Sequence, residues 1–151
     1  MNWYHVVSND IGKLPDAITY YESEYLTASK ECKLYGSIEK AAASMPGIVE
    51  IRFAQIQEIE AILEYMNIEM RQIRSRIFKK YLENYNRALS SRDCERYVDG
   101  DIEVVEYAKL INELALLRNK WLGISRALDQ KQWQITNIVK LRCAGLDDAS
   151  I

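Results

Sequence analysis

Residues 48 to 89 contain neither Gly nor Pro, and apolar side chains recur every seven positions at Val49, Ile56, Leu63, Met70 and Ile77. Ile59, Met66 and Ile73 fill the alternate steps, completing the a/d seam that keeps one stripe of a helix turned toward a partner helix. A helix of this length reaches roughly 60 Å at about 1.5 Å per residue, so its partner must be comparably long. The segment from Asp101 to about Cys143 meets that need. Tyr107, Leu114, Trp121, Leu128 and Ile135 form one series and Leu110, Leu117, Ile124 and Ile138 the other, interrupted by Lys131. Ser90-Ser91 and Asp99-Gly100-Asp101 bracket a polar turn between the two segments, where the chain is expected to reverse. The pattern predicts an all-α protein in which 48–145 forms two long antiparallel helices, a helical hairpin. Gly123 is read as a point of close contact within the second helix and Gly145 as its C-terminal stop.

The first 47 residues form a short helical N-terminal arm in this reading. Ile11, Leu14, Ile18, Tyr21, Tyr25, Ala28, Cys32 and Tyr35 alternate steps of three and four, which predicts a helix starting near Pro15 and stopping at Gly36. Ser37 is expected to cap a short second helix running to Met45, with Pro46-Gly47 breaking the chain. The whole, 1–151, makes a single helical domain. A two-helix hairpin buries little by itself, and Phe53, Ile62, Ile68, Leu116 and Trp133 lie off the seam. That surplus points to contacts between subunits, hence a homo-oligomer.

Chemistry-bearing constellations are scarce. The lone His5 stands in the N-terminal segment, and neither a P-loop nor a GxGxxG sequence is present. Inward Glu-x-x-His pairs, which a di-iron bundle requires, are missing as well. Glu58, Glu60 and Glu64 read as a solvated acidic face rather than a metal site. The expectation is a non-enzyme with no catalytic residue, no metal and no cofactor. Cys32, Cys94 and Cys143 are odd in number and far apart, which suits a reducing compartment. The N-terminus lacks the features of a signal peptide and no apolar run approaches the ~20 residues that span a bilayer. A cytoplasmic protein without membrane contact is expected.

Charge is where the chain departs from blandness. Although the net charge is −2, the ten residues from Arg71 to Lys80 hold five cations and no acid. Arg71, Arg74, Phe78, Tyr81 and Tyr85 fall three and four apart, on one side of a helix. Arg76, Lys79 and Lys80 add charge beside them. Cations for phosphates and rings for stacking bases are the components of single-strand binding. Against this, the rings lie on a flank of the seam, where they can equally pack against the arm or a neighbouring subunit. Lys140 and Arg142 form a second basic group; in the expected hairpin they lie near Glu50 and Glu58, so charge complementarity between helices is an alternative account of them. For Arg71 to Lys80 the expected neighbours, residues 110 to 119, offer only Glu113.

The segment Trp133-Gln-Ile135-Thr-Asn-Ile138-Val-Lys-Leu141-Arg142, followed by Ala144-Gly145, resembles the C-terminal signature of phage recombination mediators of the UvsY type. There an aromatic residue, two isoleucines, an apolar residue and an arginine precede Ala-Gly at matching intervals. Asp99-Gly-Asp101-Ile102 opening a long helix is similar too, as is Arg74-Ser-Arg76-Ile-Phe78-Lys-Lys-Tyr81, set against that family's Lys/Arg-rich segment ending in tyrosines. The similarity covers about the last half of the chain. It implies a non-catalytic helical protein of the host cell cytoplasm that assembles into a ring and binds single-stranded DNA. Such a protein helps load a recombinase onto strands covered by the single-strand-binding protein, in DNA recombination and repair. The rival expectation is a helical-hairpin scaffolding or protein-interaction module, its Arg and Tyr residues serving as a docking surface.

Overall fold

Side-chain caps divide the chain into its helices. In the computed structural model, which describes residues 2–84 and 89–145, the Asn2 side chain accepts from the His5 N–H to open α1 (Trp3–Asn9). Asp10 accepts from Gly12 N–H at 2.9 Å and starts a 3-10 turn, Ile11–Lys13, that leads directly into α2 (Leu14–Glu31). Pro15 sits in the first turn of α2, where its missing N–H has no intrahelical acceptor to lose. Ser37 closes the N-terminus of α3 (Ile38–Asn84), Ser90 that of α4 (Ser91–Gly100), and Asp101 that of α5 (Ile102–Cys143). No strand occurs among the described residues, and the all-α expectation holds. No described helix is long and apolar enough to cross a membrane.

The detail differs from the simple hairpin with an arm. Pro46-Gly47 does not break the chain; it lies inside α3, which begins ten residues earlier than Ile48. An interior proline costs about 3 kcal/mol. Ile38, Ala41 and Met45 are all buried on one stripe that continues into Ile56 and Ile59, and burying a large apolar side chain is worth about 1.5–3 kcal/mol. The burial outweighs the lost hydrogen bond, and the helix runs through. Val49, assigned to the seam, is 40% exposed as a result, since Arg52 takes the inward position instead. At the other end, α2 stops at Glu31 rather than Gly36. Gly36, at φ +76°, turns the backbone back toward Ser37. The polar turn expected between Ser90 and Gly100 is the helix α4. Gly123 marks no close contact: a Cβ built there meets nothing within 4 Å.

The core is formed where the arm lies across α3 and α5. α1 is fixed to α3 by the Tyr4 N–H donating to Glu58 Oε1 at 3.1 Å and by the Tyr65 hydroxyl donating to the Ser8 carbonyl at 3.1 Å. α2 packs on α5 through Tyr21 and Tyr25, both edge-on to the ring of Trp121 at 6.3 Å. Val7, Leu14, Tyr21, Ile59, Ile62, Met66 and Leu114 belong to the same buried core as that ring. Ile62, read as surplus for another subunit, is thus fully covered by the chain itself, whereas Phe53, Ile68, Leu116 and Trp133 stay exposed. Along α3 and α5 partners run in opposite order: Arg76 beside Glu103, Tyr65 and Glu69 beside Tyr107. Burial, reinforced by Glu69, pushes the Tyr107 hydroxyl up to about 12.

Two buried cations complete the assembly. Arg52, 6% exposed, donates to both carboxylate oxygens of Glu31 at 2.7 Å and to Glu24 Oε2 at 2.9 Å. Gln55 bridges the same groups, accepting from Arg52 at 2.8 Å and donating to Glu24 at 2.9 Å. Lys131, 7% exposed, donates to the Glu31 carbonyl at 2.6 Å, a cation on the last turn of α2 where the helix dipole favours one. Lys131 therefore interrupts the apolar series for a structural reason.

Removing the guanidinium would strand two carboxylates, so Arg52→Ala is expected to lower unfolding stability by about 3 kcal/mol. Urea unfolding of the variant and parent checks this. The Gln55 amide first and Arg52 second hold the Glu24 carboxyl below its ordinary range. Its stabilisation is present above the unfolded glutamate value of about 4.3 and disappears as pH falls through the lowered folded value. Unfolding midpoints followed downward from neutral pH should show a shallower acid limb in Arg52→Ala than in the parent.

Candidate nucleic-acid interface

The basic run of α3 faces α4 and the start of α5. Ile77 is the inward residue, buried with Val98 of α4 and Val104 of α5 in a small apolar cluster separate from the main core. Because Ile77 points in, Arg74 and Tyr81, three and four residues away, flank it beside α4, while of its chain neighbours Phe78 lies half-buried against the cluster and Arg76 toward α5. Lys79 and Lys80 point to solvent.

The cations of the stripe are not bare. Arg74 donates to Asp99 Oδ1 at 2.7 Å, Arg76 pairs with Glu103, and Arg71 reaches back along its own helix to Glu64 at 3.2 Å. The expectation that the run meets only Glu113 is corrected here. α4 carries Asp99 across the turn, and the first turn of α5 brings Glu103 level with Arg76. The Arg71–Glu64 pair is exposed on both sides and contributes little. Lys79 and Lys80 take part in no ion pair among the described residues, although the Lys80 ammonium lies 6.0 Å from the centre of the Tyr81 ring.

Of the rings, Tyr81 donates to Asp101 Oδ2 at 3.0 Å and stacks on Tyr97 of α4, centroids 5.5 Å apart and planes 24° apart. Phe78 supports the Ile77 cluster. These two rings thus pack against α4 and its cluster, rather than against the arm or a neighbouring subunit as the sequence alternative had it; Tyr85 lies outside the described residues. The outer flank of the same stretch is open. Gln72, Ser75, Arg76, Lys79, Lys80 and Asn84 line a groove of about 580 Å³ together with the acid Glu83.

Lys140 and Arg142 stand exposed on the last turns of α5 and form no ion pair among the described residues. The anticipated neighbours Glu50 and Glu58 are not theirs. The two long helices pair with Arg76 beside Glu103, so Lys131 already lies level with Ala41, Ser44 and Ile48, and the helix beyond it runs past the acids. Glu58 serves α1 instead. Within the C-terminal segment that resembles the mediator signature, Ile135 is buried and Ile138 partly so, while Trp133 is 62% exposed. Two of its characteristic positions are therefore packing residues. Comparison with protein-family models, with curated proteins and with solved structures finds no match to this chain.

Phe78 and Tyr81 hold α4 down, so Phe78→Ala and Tyr81→Ala should each destabilise that end by about 1–2 kcal/mol, less than the 3–5 of a fully buried ring. Hydrogen exchange should quicken in the amides of Ser91 to Gly100 while those around Trp121 keep their protection.

Proposed function

We propose that this chain is a non-catalytic single-stranded DNA-binding protein acting as a recombination mediator, in which α3 and α5 serve as an antiparallel hairpin scaffold. The observation that carries the reading is the groove on the outer flank of α3. Two exposed lysines without acidic partners among the described residues, Arg76 paired with Glu103, three hydrogen-bonding side chains and the acid Glu83 follow one helix face for about three turns there. Such a strip suits an extended phosphodiester backbone: cations neutralise phosphates while amides and hydroxyls donate to sugar and base edges. Local charge of this kind is the expected form of polyanion binding in a protein whose net charge is −2. Lys140 and Arg142, exposed at the far end of α5, form a separate basic group at the opposite end of the two long helices. The resemblance to UvsY-type mediators supplies the rest: a host-cell cytoplasmic protein, a ring of subunits, and a recombinase and single-strand-binding protein as partners.

Exposed Phe53 (57%), Leu116 (59%) and Trp133 (62%) support self-association. They also favour the second reading, a scaffold whose partner is another protein and which binds no strand.

Affinity for a labelled oligothymidylate should fall as salt rises. Lys79→Glu with Lys80→Glu should remove at least two phosphate contacts, lowering the slope of log K against log salt by about 1.4. Fluorescence anisotropy over a salt series checks this; an unchanged slope moves the site to Lys140 and Arg142, and no binding by the parent protein leaves the scaffold reading. Sedimentation should find the parent oligomeric and Phe53→Ser with Leu116→Ser smaller at equal helicity. A monomeric parent at tens of micromolar, roughly, would end the ring.

A further inference from the structure

Every group on the α4 side of the basic stretch already holds a partner chemically equivalent to a nucleotide. Asp99 of α4 puts a carboxylate on Arg74, where a phosphate would lie, and Tyr97 of α4 stacks on Tyr81, where a base would lie; Glu103, which pairs with Arg76, belongs to the first turn of α5. Asp101 takes the Tyr81 hydroxyl. We infer that α4 is an autoinhibitory strap, an internal mimic of single-stranded nucleic acid that covers the inner half of the basic-aromatic face until a strand displaces it. The inference rests on the single-strand reading above and adds the regulation of that site.

The packing of α4 suits a part that can lift. Only Cys94 and Val98 are buried among its ten residues, and Val98 belongs to the small distal cluster rather than to the core around Trp121. The Arg74–Asp99 ion pair and the Tyr97–Tyr81 stack complete its docking, and they are the contacts for which a phosphate and a base compete. Its link to α5 is one extended residue, Asp101 (φ −64°, ψ 135°), flanked by Gly100. Rotation there would swing α4 away, while the Asp101 side chain goes on accepting from the Glu103 N–H to cap α5. The outer groove stays accessible throughout, so a strand can first engage Lys79 and Lys80 and then invade.

The test compares two full-length variants that remove the same charge. Asp99→Asn unties the ion pair of the strap; Glu106→Gln removes an exposed acid of α5 that touches none of the stripe. The first should bind oligothymidylate up to about fivefold more tightly than the parent, which is what an exposed pair holds back, and the control should change far less. The first should also show a salt slope steeper by about 0.7 as Arg74 reaches a phosphate. In the parent, adding the strand should speed hydrogen exchange in α4. Binding by the untied variant alone, with none by the parent, supports the strap in its strongest form. Equal gains in the two variants, or parent binding with no gain and no loosening of α4, overturn the strap and leave the single-strand reading standing. No binding by any of the three overturns both.

Discussion

Arg52 is the point on which the arrangement of helices depends. A guanidinium taken out of water is tolerable only where nearly all its donors are satisfied, and here Glu31, Glu24 and Gln55 do so at 2.7–2.9 Å. The geometry is directional. Glu24 and Glu31 lie two turns apart on α2, so a single fork on α3 fixes both the height and the rotation of α2 against it. Lys131 then takes the carbonyl of the same Glu31 from α5. One residue at the end of α2 is thus held by α3 through its side chain and by α5 through its backbone, and the aromatic cluster of Tyr21, Tyr25 and Trp121 is assembled in consequence.

Two regimes of stabilisation divide the length of the molecule. Around Trp121 the burial is deep and apolar, with α1 and α2 closing the trough between α3 and α5. Toward Ile77 the apolar cluster is small and the contacts are ionic and aromatic. Opening free energies follow burial, so the two ends need not respond together. A binding face placed at the shallow end can be remodelled without disturbing the deep one. The proposed regulation of the basic stretch relies on that separation.

The periodicity of α3 and α5 was legible because seven-residue recurrence of Ile56, Leu63 and Ile77, and of Leu114, Trp121 and Leu128, has one economical cause. The limits of α3 were not. Pro46-Gly47 is a local breaker, and only the burial of Ile38, Ala41 and Met45 by distant parts of the chain overrides it. The register of the two long helices, marked by Arg76 beside Glu103, also differs from the expected one and carries Lys140 and Arg142 past Glu50 and Glu58. The basic-aromatic run was visible as composition, but its pairing was hidden, because Asp99 reaches it from α4, a helix too short and polar to declare itself by period, and Glu103 from the first turn of α5. One signal for α4 was present: Ser90 followed by Asp93 has the spacing of an N-cap, beside Cys94 and Val98, four apart. Arg52 gave no such sign. In sequence it is a lone cation among acids, and nothing local says that it turns inward.

Lys131 has a consequence for the chemistry of the surface. Its amine is enclosed and already donating to Glu31, whereas Lys79, Lys80 and Lys140 extend into solvent. An amine-reactive acylating reagent applied to the native protein would meet the exposed lysines first, leaving Lys131 unmodified for as long as α2 stays seated. Once acylated, its nitrogen would be neutral and bulkier, no longer the cation that the dipole of α2 calls for, and reseating would be disfavoured. Lys131 is therefore a chemical latch: whether it has been modified records whether the arm has ever lifted from the trough.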